Sequence, residues 1–300
     1  MRYINLDKLE ELDDWPPGKL ADGRQSPEKW RERLCKAEQE LRNLPEGKTR
    51  SAIFKKYSCL WSDVKEHYRT LSDDKCWYCE TSTHRMTGEI DHYRPKAGVE
   101  KNSHPGYWWL GFDWRNWRFV CKFCNSQSRD LETGIVGGKG NHFPLLDGEE
   151  RRICAECDYD DLLDEGPQLL DPIERGDPQL LTFTRDGRPG PSEEDENSIG
   201  YQRAQASIKI YHLDHSRLNR ERRNIYQRVR EHVKDYQRYQ KKWDMERDRS
   251  AYNIARKALT ELGKMIAPSA QYSATARACL REYRRAEREW DWVDRLLTAS

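Results

Sequence analysis

Long apolar runs are missing from this 300-residue chain. No stretch approaches the roughly 18 consecutive apolar residues that a membrane helix needs. The opening Met1-Arg2-Tyr3-Ile4-Asn5 has no signal-peptide core. The expectation is a soluble, cytoplasmic protein with no membrane partner. Hydrophobic residues are also scarce, at 36% against 35% charged, and the large apolar faces must come from 11 Trp and 15 Tyr. No internal repeat is visible. A nucleotide-hydrolysing loop is absent too: Gly137-Gly138-Lys139-Gly140 follows no apolar strand and lacks Walker spacing. Any ATP dependence therefore belongs to a partner. Nine cysteines in a long chain of this kind argue for metal binding or free thiols and against a disulfide framework.

Charge of one sign is not in excess overall, since the net is +1, but it is unevenly spread. Residues 1–75 carry +1, 76–146 carry +2, 147–196 carry −12 and 197–300 carry +10. An acidic block thus separates a near-neutral segment from a basic, Arg- and Tyr-rich C-terminal region. That region reads either as a phosphate-binding face or as a solvated helical surface. Arg220, Arg222 and Arg223 on it are candidates for docking a partner.

Four segments follow. Residues 1–75 are helical after a turn-rich start marked by Trp15-Pro16-Pro17-Gly18 and Asp22-Gly23. Ser26-Pro27-Glu28 opens a helix with Trp30, Leu34, Ala37, Leu41 and Leu44 at helical spacing, and Pro45-Glu46-Gly47 ends it. Ile53, Tyr57, Leu60, Val64, Tyr68 and Leu71 predict a second helix and so an α-hairpin. Residues 76–146 hold two CxxC pairs, with strands predicted at Glu89–Tyr93 and Phe119–Cys121 and a helix from Cys124. Residues 147–198 are an acidic strap full of turn signals, with short strands expected at Leu169-Leu170 and Leu180–Thr184. Residues 199–300 are helical: one helix over Tyr201–Leu213, a long one from Ser216 with a break near Asp248, and a last one over Ser273–Leu297. The fold class expected is α+β and mainly helical, with a ββα-metal core.

The chemistry concentrates in 76–146. Cys76-Trp77-Tyr78-Cys79 and Cys121-Lys122-Phe123-Cys124 supply four thiolates at the spacing of a closed, structural zinc site. Cys154-Ala155-Glu156-Cys157 has no fourth partner in reach, with His142 its sole candidate helper, and reads as free thiols. Cys35, Cys59 and Cys279 read as core residues. Between the zinc pairs lies Glu89-Ile90-Asp91-His92-Tyr93-Arg94-Pro95-Lys96. His92 suits a general base, and Asp91 is a hard oxygen ligand for Mg²⁺ or Mn²⁺. The two alternate along a strand, so they share a site only where the strand twists or ends, as Pro95 suggests. Arg94, Lys96 and Arg129 are candidate phosphate contacts. The Trp108, Trp109, Trp114 and Trp117 cluster reads as packing around the small metal module and not as a base-stacking platform.

Asp91-His92, Asn116 and Asn125 between CxxC pairs resemble the HNH endonucleases. That resemblance implies His92 as base, Asp91 and Asn125 as ligands of a catalytic Mg²⁺ or Mn²⁺, and Asn116 as the brace of the base-bearing loop. Ile90–Lys96, Tyr107-Trp108-Trp109-Leu110, Cys121–Asn125 and Leu169-Leu170-Asp171-Pro172 further resemble the HNH subunit of Septu-type anti-phage systems, which also occurs with some retrons. This implies DNA cleavage in bacterial defence together with an SMC/ABC-type ATPase partner. One departure stands out: that family has Lys three residues after the Asn, where this chain has Ser128 followed by Arg129. The same chemistry on RNA such as tRNA remains an alternative. So does a non-catalytic zinc module that binds nucleic acid or a partner.

Overall fold

The computed structural model describes residues 1–12, 15–17, 27–44, 49–84, 88–154, 157–286 and 291–298. The expected Asp22-Gly23 turn, Ser26 cap and Pro45–Gly47 stop lie outside them. Helix α1 (Pro27–Arg42) buries Trp30, Ala37 and Leu41, one stripe at helical spacing. Trp30 also donates its indole N–H to the Leu60 carbonyl at 3.1 Å. The predicted second helix is present as three short pieces, α2 (Arg50–Lys56), α3 (Cys59–Asp63) and α4 (Lys65–Thr70). Breaks at Tyr57-Ser58 and Val64 let Ile53, Tyr57, Leu60, Val64 and Tyr68 all reach the core.

Strands β1 (Glu89–His92) and β2 (Trp117–Val120) pair antiparallel with Glu89 opposite Val120 and His92 opposite Trp117. The helix expected after β2 is a single turn, α5 (Lys122–Asn125). Ser126 is extended and turns the chain into a small hairpin of β3 (Ser128–Arg129) and β4 (Val136–Gly137). In the acidic segment, β5 (Leu181–Phe183) pairs with β6 (Pro189–Pro191), whereas Leu169-Leu170 is not a strand. The helical remainder comprises α6 (Ile199–Ile210), α7 (Ser216–Glu246), α8 (Arg249–Ile266), α9 (Ser273–Ala286) and α10 (Asp291–Thr298). The break near Asp248 is where sequence placed it. Arg247 is left-handed, and Asp248 caps α8 by accepting from Ser250 N at 2.8 Å. No described helix is long and apolar enough to cross a membrane.

Two apolar clusters organise these elements. The first runs through residues of segments 1–75, 76–146 and 147–198 and takes in α6. The second lies within α7 to α10. The acidic strap is held to the first by buried polar contacts. Arg118 makes a two-pronged ion pair with Asp171 at 2.6 and 2.5 Å, Arg94 pairs with Glu165 at 3.2 Å, and Tyr93 donates to Leu169 O at 2.6 Å. The two clusters meet at the first CxxC pair: Lys75 Nζ donates to Pro268 O at 2.7 Å and Ser273 Oγ to Glu80 at 3.2 Å.

Candidate metal centre and hydrolytic site

The β1–β2 hairpin brings the CxxC pairs together. Trp77 N donates to Phe119 O at 3.0 Å, fastening the first pair to β2, which runs straight into the second. Glu80, with φ of 63°, turns the chain so that its N–H reaches Cys76 O. The sulfurs of Cys76, Cys79, Cys121 and Cys124 are buried and lie within 4.8 Å of one another. Cys79 and Cys121 are 3.8 Å apart, which matches the ~3.8 Å edge of a tetrahedron with Zn–S bonds of about 2.3 Å. These four residues can hold a metal ion such as zinc, and among the described residues they are the only such group.

Arg222 supplies an independent test of that fit. It is 1% exposed and its Nη2 has no hydrogen-bond partner, while Nη1 donates to Leu213 O. A buried guanidinium requires a countercharge. Burial lowers its pKa, and the groups that oppose this are, in order, Cys79, Tyr272, Glu80 and Cys124. Four thiolates around Zn²⁺ carry a net charge of about −2, which would add to Glu80 as countercharge for Arg222.

Asp91 and His92 keep the alternation of β1 and point to opposite faces. Asp91 accepts from the Tyr78 hydroxyl at 2.7 Å and from Lys139 Nζ at 3.0 Å. His92 packs against Trp61 and Trp117 and hydrogen-bonds the Gly111 carbonyl through Nε2 at 2.8 Å. A carbonyl only accepts, so Nε2 carries the proton. Lys96 Nζ, which only donates, lies 3.1 Å from Nδ1. The tautomer is thereby fixed, with the lone pair on Nδ1. Burial, then the Lys96 and Lys139 charges, hold His92 well below the ordinary imidazole range, so the ring is neutral at pH 7. Burial likewise pushes Lys96 down to about 8.

Asn116 is fully buried and clamps the chain leaving β1. Its Oδ1 accepts from Arg94 N at 2.8 Å and its Nδ2 donates to Arg94 O at 2.9 Å and Leu110 O at 3.3 Å. Asn125 ends α5 and donates Nδ2 to Glu89 at 2.7 Å. Glu89 and Asp91 share one face of β1, with Glu89 bonded to Asn125 and Asp91 to Tyr78 and Lys139; carboxylate and amide oxygens are hard donors. Such donors fit Mg²⁺ or Mn²⁺, which take few protein ligands and keep their waters.

Sequence reasoning did not single out Glu89, Tyr78 or Lys139 for this site. The i, i+2 spacing of Glu89 to Asp91 was a usable signal. Nothing local marked Lys139, which follows Asn125 by a 13-residue excursion through β3 and β4. The chain then returns, with Lys139 N on Cys124 O at 2.8 Å and Gly140 N on Asn125 O at 2.6 Å.

Several expectations need correction. Arg94 is not a surface cation; it is 2% exposed and spent on Glu165 and Leu162 O. Lys96 is largely enclosed, over the Trp61 ring at 5.0 Å. Arg129 is exposed and edges a cavity of about 540 Å³ shared with Phe123, His212 and Tyr272. Arg222 is core, leaving Arg220 and Arg223 as surface groups. Cys154 and Cys157 are joined in a disulfide and are not free thiols. Cys35 is exposed and Cys59 half-buried; only Cys279 of the three is core.

No protein-family model matches the chain. A curated relative is the Septu protein PtuB of Bacillus mycoides (strain KBAB4), 29% identical over 168 residues, which are 54% of this chain and 50% of that protein. The chain thus spans about half the length of that relative. Over those 168 residues the chain is similar to PtuB.

Proposed function

We propose that the protein is a metal-dependent HNH-type endonuclease of an anti-phage system, cutting nucleic acid, with DNA the first expected substrate, alongside an ATPase partner. The observation that carries this reading is the Asn116 clamp. One buried amide, on the residue just before β2, ties down the backbone of Arg94, two residues beyond His92. This is the brace such a site needs around a base whose tautomer is set by the Gly111 carbonyl. His92 is neutral and offers Nδ1 to a water proton. Lys96, now on Nδ1, is the ammonium that a phosphate oxygen would draw away. A divalent cation held by Asp91 and Asn125 would neutralise the phosphate and the departing 3′ oxygen. Products would carry 5′-phosphate and 3′-hydroxyl ends.

A second reading has its own support. His92 and Asp91 are only 4% and 5% exposed and face opposite sides of β1, as suits a zinc module that binds without cutting. The test is incubation of zinc-loaded protein, with and without a co-expressed ATPase, with supercoiled plasmid and with tRNA in Mg²⁺ or Mn²⁺. Cutting that needs the divalent ion and vanishes in His92→Ala supports the nuclease. Intact substrates in every combination support the binding module.

A further inference from the structure

Gly137-Gly138-Lys139-Gly140 is a glycine run without phosphate-loop spacing, and its use is to deliver one side chain. Gly138 has φ of +122°, and a Cβ there would sit 2.1 Å from Ser126 O. A Cβ on Gly137 would meet the His212 ring at 2.5 Å. Both positions therefore require glycine. A backbone bond from Gly138 N to Ile210 O fastens the run to the end of α6, and those from Lys139 N to Cys124 O and Gly140 N to Asn125 O fasten it to the end of α5. So held, the Lys139 side chain is wholly buried, with Nζ 3.0 Å from Asp91 Oδ1 and 2.7 Å from the His92 carbonyl. A buried ammonium is costly, and this one is spent on the carboxylate read above as a metal ligand.

We propose that Lys139 is a positioning residue that holds Asp91 in place and, by its fixed charge, keeps divalent-cation affinity at Asp91 low until a phosphodiester adds negative charge. The inference rests on the nuclease reading. An ion bound by Asp91 feels the ammonium on the same carboxylate as repulsion in a low-dielectric setting. A phosphate restores the balance, so cation and nucleic acid bind cooperatively. The site then stays largely metal-free without substrate.

The test is Mn²⁺ binding to zinc-loaded protein, followed by EPR of free Mn²⁺, with and without an oligonucleotide whose linkages resist cleavage. Lys139→Met keeps length and removes charge; Lys139→Gln also keeps a donor for the His92 carbonyl, in case the first variant folds poorly. Zinc content and melting temperature check folding. The expected result is Mn²⁺ binding tightened about ten-fold or more in the neutral variants, lost again on adding Asp91→Asn. Oligonucleotide should tighten Mn²⁺ binding in the parent far more than in the variants. Equal or weaker Mn²⁺ binding in folded neutral variants overturns the role of Lys139 alone. No Mn²⁺ binding by any of the proteins overturns it together with the nuclease reading.

Discussion

Replacing Asn116 by alanine should cost far more stability than its size suggests. The amide is fully buried and makes three hydrogen bonds to backbone groups, two of them to Arg94 at 2.8 and 2.9 Å. Truncation strands the Arg94 N–H and C=O away from water. Each unpaired buried group costs about 1–3 kcal/mol, so the expected loss is about 4 kcal/mol, before any cavity term. The longer bond to Leu110 O adds little. Asn141→Ala is the control: its side chain also donates to a carbonyl, Ala97 O at 2.6 Å, but at the surface, where water replaces it. That variant should lose under about 1 kcal/mol. Urea unfolding of zinc-loaded proteins at constant m-value measures both. If Asn116→Ala lost no more than Asn141→Ala, the clamp would not be a structural brace and the argument from it would fail.

Metal analysis should find one zinc per chain, and Cys121→Ser should lose it together with the local fold. Arg222→Met should speed zinc transfer to a chromogenic chelator, because the thiolates lose their buried countercharge; an unchanged rate would refute that pairing. Arg118→Leu should cost about 3 kcal/mol by urea unfolding, since it leaves the buried Asp171 without its countercharge and, among the described residues, with only the Tyr159 hydroxyl and Ile173 N as donors. Because burial depresses His92, the unfolded chain takes up a proton below the ordinary value of 6.5 while the folded one does not. Its contribution to stability is thus complete above pH 6.5 and falls as the pH drops, by up to about 1.4 kcal/mol per unit. His92→Phe should flatten that part of the stability–pH curve.

The zinc cysteines were legible because four thiols around one ion impose a spacing that few other needs produce. The break between the long helices of the C-terminal region was legible because α7 stops at Glu246 and α8 starts after Asp248, a capping residue with a local mechanism. What escaped was set by distant partners. Arg94 read as a phosphate contact and Arg222 as part of a partner dock until Glu165, 71 positions from Arg94, and Leu213 O, which takes the Arg222 guanidinium into the core, are seen. The helix expected after Cys124 stops at one turn because the chain must leave room for Gly138 against Ser126 O. Lys139 could not be assigned to Asp91 without knowing that β3 and β4 fold out and return.

The rooting of α7 has a mechanical side. Its first turn is tied to Asp130, which accepts from Ser216 N at 2.8 Å, and Arg222 lies six residues further on, buried and bonded to Leu213 O. The helix of 31 residues is about 46 Å long at 1.5 Å per residue, so it is a long arm with a short inner end. A tilt of about 5° about Ser216 moves the far tip by about 4 Å but Arg222 by only about 0.8 Å. A load at the tip, where Met245 is exposed, would therefore be geared down roughly five-fold in distance and up by the same ratio in force before it reached the buried Arg222.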